Sequence, residues 1–188
     1  MALGTLPVAL EAVVGLADIA AEEGMAGLAE VDWTTALVGL HPGPIGVAPA
    51  LFCFLGLGML LLARVVSWRL TVGFVLGSAA MATAFSFGDP ANNPMFGIPP
   101  HWHMVIGAWA FGLAFIVTDP VTAAHTRMGR WVYGFLAGAF VIMVRVLNPV
   151  QLDGTAIALL FMSLFAALID HFVIEANIAR RKARYESE

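Results

Sequence analysis

The chain has 188 residues, 60% of them hydrophobic and 12% charged, with a formal charge of −4. Soluble domains run at roughly 45–50% apolar and about 25% charged residues, so this composition and a mean hydropathy of +0.87 exclude an ordinary water-soluble globule. One cysteine, Cys53, excludes a disulfide framework and any CxxC pair, and its apolar sequence neighbourhood suits a small buried thiol.

The stretch 1–46 holds six of the thirteen acids (Glu11, Asp18, Glu22, Glu23, Glu30 and Asp32) and none of the nine basic residues. It reads as one or two short amphipathic helices, about 7–23 and 32–40, closed by His41-Pro42-Gly43-Pro44 and too acidic and short to span a bilayer. A signal peptide is not expected, since the start lacks a basic n-region and carries Glu11 and Asp18.

A transmembrane helix needs about 20 mostly apolar residues. Five segments meet this: about 47–66, 70–87, 102–118, 131–147 and 155–174. Ser67 and Trp68 link the first two. The Pro-, Asn- and Gly-rich stretch 88–100 reads as a surface or re-entering loop. The expected fold is therefore all-α and polytopic, with an extracytoplasmic segment (1–46), a five-helix transmembrane region (47–178) and a basic cytoplasmic tail (179–188). Gly73 with Gly77, Gly134 with Gly138, and Ala108 with Gly112 have the four-residue spacing that lets helix backbones approach closely.

Basic residues set the expected orientation. Arg64 and Arg69, then Arg127 and Arg130, then Arg180 to Arg184 return to one membrane face after every second crossing, so eight of nine agree. By the positive-inside rule that face is cytoplasmic and the N-terminus lies outside. The cluster Arg180, Arg181, Lys182 and Arg184 directly follows an apolar segment, which marks a membrane anchor and excludes nucleic acid as a partner. Arg145, at the outer end of the fourth segment, is the exception.

Ionisable groups within membrane segments are costly and mark candidate sites. Asp170, next to His171 and one turn before Glu175, has two readings: a carboxylate that collects a cation, or an interfacial residue snorkelling to water. Asp119, before Pro120, is either a helix cap or part of a cation pathway. Arg145 either pairs with Asp153 or an anionic group such as a flavin phosphate, or snorkels to headgroups. His101 and His103 flank Trp102 and, two apart, do not share a helix face; an interfacial place in the aromatic belt is expected. His125 is a loop residue. No Walker or Rossmann loop, nucleophile elbow, HExxH or CxxCH occurs, so no self-contained active site and no metal site are expected.

Three stretches carry a family resemblance. They are Trp102-His103 through Phe111-Gly112 to Thr118-Asp119-Pro120-Val121-Thr122, then Arg145-Val146-Leu147-Asn148-Pro149 with Asp153-Gly154, and the outer-loop run Asn93-Pro94-Met95-Phe96. Across about 32–184 the sequence resembles the Nqr-B/RnfD/RnfE family. The ending, Leu168-Ile169-Asp170-His171-Phe172-Val173-Ile174 with Ala176-Asn177-Ile178 and Arg180-Arg181, is similar to the sodium-pump B-subunit branch rather than the RnfD branch.

The resemblance implies two inverted repeats of about five helices, with this chain corresponding to the second. It implies a bacterial inner-membrane complex that couples NADH oxidation and quinone reduction to Na+ export, with the other subunits, quinone and lipid as partners. It also implies FMN and riboflavin in the full subunit, the FMN joined through its phosphate to a threonine in a Ser-Gly-Ala-Thr motif. Here Met1-Ala2-Leu3-Gly4-Thr5-Leu6 resembles the residues on the C-terminal side of that motif, so Thr5 does not inherit the flavin and no covalent flavin is expected in this chain. Gly43-Pro44-Ile45-Gly46-Val47 stands where the family has Gly-Ser-Ile-Gly-Glu, losing a hydroxyl and a carboxylate. Asp170 falls on the acidic position tied to sodium uptake. The alternatives are a non-redox channel or transporter half of the same architecture, an RnfD-like subunit of a ferredoxin:NAD oxidoreductase complex, or a truncated reading frame.

Overall fold

The computed structural model describes residues 28, 31–40, 49–90, 93–147 and 154–185, all helix, turn or loop. The expected amphipathic helix at about 7–23, Thr5, the 43–47 loop, Asn148-Pro149 and Asp153 lie outside these residues. The second amphipathic stretch forms α1 (Trp33–Val38), ended by Gly39 in the left-handed region at φ 80. Trp33 of α1 donates its indole N–H to the His101 carbonyl at 3.4 Å.

Among the described residues three helices are long and apolar enough to cross a membrane. They begin with α3 (Trp68–Phe85); the other two are α5 (Arg127–Leu147) and α6 (Thr155–Tyr185). Among the described residues of the first expected span, 49–66, the helix is shorter than the apolar run: α2 (Ala50–Leu62), 13 residues after Pro49. A chain reversal ends it. Val65 donates to the Leu60 carbonyl at 3.2 Å and Arg64 to the Leu61 carbonyl at 3.0 Å, the paired bonds of a Schellman cap. Arg64 occupies the left-handed position at φ 57, where glycine is usual.

Two of the three small-residue spacings, Gly73 with Gly77 and Gly134 with Gly138, do what their pattern implies, whereas Ala108 and Gly112 do not lie on one regular helix. A Cβ on Gly77 would strike the Phe135 carbonyl, one on Gly134 the Leu70 carbonyl, and one on Gly138 the Phe74 carbonyl. Thus α3 and α5 touch backbone to backbone, gaining close van der Waals contact where lipid supplies no hydrophobic drive. Ser78 fixes the seam by donating to the Gly138 carbonyl at 3.3 Å and accepting the Trp109 indole N–H at 3.0 Å.

The third expected span, 102–118, is corrected by the structure: it is not one helix. It runs as a 3-10 turn (Trp102–Met104), a left-handed Gly107 at φ 61, the single turn α4 (Trp109–Phe111) and a π-helical stretch (Gly112–Ile116). Hydropathy reports apolar length and is blind to this break. Irregular backbone is tolerated at membrane depth only where protein covers it. Val105, Ile106, Trp109, Ala110, Leu113, Ala114 and Val117 are accordingly all buried. Trp109 lies between Phe54 of α2 and Phe74 of α3, at ring distances of 6.5 and 5.3 Å. A Cβ on Gly112 would press on Thr155 and Leu159, so this residue seats the segment against α6.

The loop between α3 and the broken segment is held by Asn93, whose side chain accepts the Met95 N–H at 2.9 Å and donates to the Val146 carbonyl at 2.7 Å. Phe96 stacks on Phe85 at 5.6 Å. On α6, Ala158, Leu159, Met162 and Ala166 are buried while Leu160, Leu164 and Phe172 are exposed, so one stripe packs on protein and the rest is free to meet lipid.

Candidate functional site

Polar side chains gather at both ends of the broken segment. At the end where α5 begins, Thr126 caps the helix: its hydroxyl accepts the Gly129 N–H at 3.0 Å, satisfying one of the four donors a helix start leaves open. Asp170, brought across by α6, completes the cap. Its Oδ2 accepts the His125 N–H at 2.6 Å, and its Oδ1 accepts the Thr126 N–H at 3.1 Å and the Thr126 hydroxyl at 2.6 Å. Gly129 makes this approach feasible, since a Cβ there would collide with Asp170 Oδ1 and Thr126 Oγ1.

Asp170 is therefore half-buried, with its carboxylate tied to protein donors. Its two oxygens offer about four acceptor directions, of which these bonds occupy three. His171 pairs instead with Glu175 at 3.4 Å on the exposed flank of α6.

Asp119 closes the broken segment, accepting the Val121 N–H at 3.1 Å and the Thr122 hydroxyl at 3.2 Å; this is the capping geometry of an Asx turn. Between the turns that hold the two carboxylates lies a cleft of about 230 Å³. Thr118 and Pro120 beside Asp119, His125 beside Asp170, and Arg64, Ser67 and Arg130 line it. Arg130 also donates Nε–H to the Ala124 carbonyl at 3.3 Å. No group of three or more His, Cys, Asp or Glu among the described residues is placed to hold a metal ion.

At the opposite end Arg145 is 1% exposed. Its guanidinium donates to the His103 carbonyl at 2.9 Å and to the Thr155 hydroxyl at 3.4 Å, joining the end of α5, the head of the broken segment and the start of α6. The side chain is turned into the protein, not up to the headgroups. His103 is buried as well, and its Nδ1 has no hydrogen-bond partner. This corrects its expected interfacial place; His101, facing out, keeps the exposed position. His101 and His103 lie on different sides of the 3-10 turn, and the side that carries His103 faces protein.

Sequence reasoning singled out Asp170, Asp119 and Arg145 but missed the groups that hold them: Thr126, Gly129, Thr155 and the His103 carbonyl. Thr126 ahead of Gly129 was a capping signal; the pairing across 44 residues with Asp170 left no local trace.

A buried discontinuous segment packed among helices long and apolar enough to span, with polar residues at both its ends, defines a membrane-embedded, multi-pass all-α protein. Comparison with known families sharpens this. The chain belongs to the NQR2, RnfD, RnfE family, whose model matches residues 5–179. It is 46% identical over 154 residues to the B subunit of the Na(+)-translocating NADH-quinone reductase of Stutzerimonas stutzeri, covering 82% of this chain and 38% of that protein. The corresponding B subunits of Pseudomonas aeruginosa (47% over 152 residues, 81% and 38%) and Klebsiella pneumoniae (45% over 154 residues, 82% and 37%) are similar. The chain thus spans under two-fifths of the length of these relatives, matching their C-terminal part.

Proposed function

We propose that this chain serves as the C-terminal portion of the membrane-embedded B subunit of a sodium-translocating NADH:quinone oxidoreductase in a bacterial inner membrane, where it forms half of the ion conduit. The observation that carries this is the Asp170 carboxylate, fixed by three hydrogen bonds beside a polar cleft where α5 begins. A sodium ion prefers oxygen ligands, and unwound backbone next to a broken helix supplies carbonyls for it. Asp170 captures the cation at the cytoplasmic face, and Asp119, whose neighbours Thr118 and Pro120 line the same cleft as His125, is the second carboxylate on the pathway. The other subunits, quinone and lipid are the partners of the assembled protein, and NADH is oxidised elsewhere in it.

The test is Asp170→Ala in the assembled complex. The sodium concentration for half-maximal quinone reduction rises; an unchanged sodium dependence in a properly assembled variant overturns the assignment.

Flavin chemistry is not routed through these residues. The sequence contains no Ser-Gly-Ala-Thr, and Arg145, which could touch a flavin phosphate, would supply no covalent bond to it. This chain expressed alone with the flavin transferase therefore carries no covalent flavin. A fluorescent band at its mass on a denaturing gel, abolished by Thr5→Ala, would show otherwise.

A further inference from the structure

Two hollows on the outer side of the α5–α6 seam share Ile169 and Phe172 and so form one continuous groove. The upper part, about 460 Å³, is lined by apolar side chains such as Leu136, Phe140, Met143, Phe161 and Phe165. Phe140 stacks on Phe161 at 5.1 Å, and Phe165 lies 5.1 Å from Phe161. The lower part, about 360 Å³, is bounded by Met128 and Val132 on α5 and by Phe172, Ala176, Asn177 and Arg180 on α6. The groove is therefore apolar along most of its length and polar and cationic at one end. Among the described residues no acidic side chain lines either part.

Membrane depth fits this pattern. Measured from Thr155 at about 1.5 Å per residue, a hydrocarbon core of about 30 Å ends near residue 175. Asn177 and Arg180 then stand at headgroup level, with Arg127 at the start of α5 adding positive charge there. Glu175, the nearest acid on α6, is engaged with His171. Half the core, about 15 Å, corresponds to about ten helical residues, which takes an acyl chain from Asn177 up past Phe172 into the aromatic part.

We propose that this groove binds one anionic glycerophospholipid, its phosphate held by Arg180 and Asn177 and an acyl chain laid along Val132, Ala176 and Phe172. Charge complementarity selects this occupant: a guanidinium and an amide donor match a phosphodiester, whereas a quinone brings no charge to Arg180. The leaflet rests on the cytoplasmic placement of the C-terminus; the recognition chemistry does not.

The experiment uses the protein purified in mild detergent with whatever partners accompany it, exchanged into equal amounts of phosphatidylglycerol and phosphatidylcholine, with retained lipid counted by native mass spectrometry. Wild type retains phosphatidylglycerol over phosphatidylcholine. Arg180→Gln lowers that retention about five-fold, the effect of about one basic side chain at a membrane surface. Lys182→Gln, two residues on and so about 200° around the helix, leaves retention unchanged. Ala176→Trp fills the groove and releases the lipid; should that variant fail to assemble, the surface change at Arg180 still decides the matter. Equal retention of both lipids, equal loss from Arg180→Gln and Lys182→Gln, or a quinone released by Ala176→Trp in place of phospholipid would overturn the proposal. So would a photo-crosslink from position 176 to another polypeptide with no lipid retained. The sodium dependence of Asp170 variants is independent of each outcome.

Discussion

Thr126 and Asp170, 44 residues apart, are joined twice through one carboxylate oxygen, which takes both the backbone N–H and the side-chain hydroxyl of the threonine. The hydroxyl also caps α5 through Gly129. Thr126→Val deletes both side-chain links and leaves the carboxylate short of a donor. A loss of about 1–2 kcal/mol is expected, seen as a lower apparent Tm in detergent, while Thr126→Ser stays near wild type. Equal melting of the valine and serine variants would show that the backbone bonds alone hold Asp170.

Gly138 and Gly58 make a matched pair of tests. Alanine at 138 meets the Phe74 carbonyl and must push α3 from α5, whereas a Cβ at 58 meets nothing within 4 Å. Gly138→Ala should cost about 1–3 kcal/mol through overpacking. Gly58→Ala should be neutral or gain up to about 1 kcal/mol from helix propensity. Thermal unfolding of the two variants side by side tests the contrast.

Arg64 holds a left-handed conformation in the cap of α2. Arg64→Gly and Arg64→Ala both remove the charge from the cleft, but only glycine relieves the backbone. The glycine variant should be the more stable of the two by about 1 kcal/mol. No difference between them would mean that the turn carries no strain.

Arg145 is buried at the junction of three segments. Arg145→Ala leaves a buried carbonyl and a buried hydroxyl short of a donor, at about 1–3 kcal/mol for each, so membrane accumulation should fall severely. Arg145→Lys should not rescue it, because one ammonium cannot span the fork geometry. Thr155→Val, which removes one long bond, should cost about 1 kcal/mol. Normal accumulation of Arg145→Ala would rule out its clamping role.

Orientation is testable with an impermeant thiol reagent in a Cys53→Ala background. Ser187→Cys should be protected in intact cells and Thr5→Cys labelled, as the run of basic residues requires. The reverse pattern would invert the topology.

Much of this fold is legible in the sequence because the bilayer imposes a simple rule of apolar length, which gives α3, α5 and α6 directly. The seam of Gly73, Gly77, Gly134 and Gly138 is equally legible, since small residues four apart have few other uses in a spanning helix. The broken segment is not. Ile106-Gly107-Ala108 reads as continuous helix to any measure of hydropathy, and the bond from Trp109 to Ser78 of another helix leaves no local trace in the sequence. Asp170 stands out from its cost at depth, but its partners come from a turn far away in the sequence. Arg145 misleads for the same reason. A lone arginine at a span end is read as facing headgroups unless tertiary structure supplies acceptors inside, as the His103 carbonyl does here.

At about 1.5 Å per residue, the thirteen residues of α2 give about 20 Å of helix, against a hydrocarbon core of about 30 Å. Such a hydrophobic mismatch is met by thinning the bilayer locally, at a fraction of a kcal/mol per Å. The arginine that ends α2 is one wall of the polar cleft. Thinning on that flank would draw the water boundary inward toward His125 and its neighbour Asp170 and, on the proposed route, would shorten the dehydrated distance a cation crosses. Turnover in reconstituted vesicles should accordingly depend on acyl-chain length, faster in short-chain lipid and slower as the chains lengthen, and a rate indifferent to bilayer thickness would show that α2 leaves the membrane undeformed.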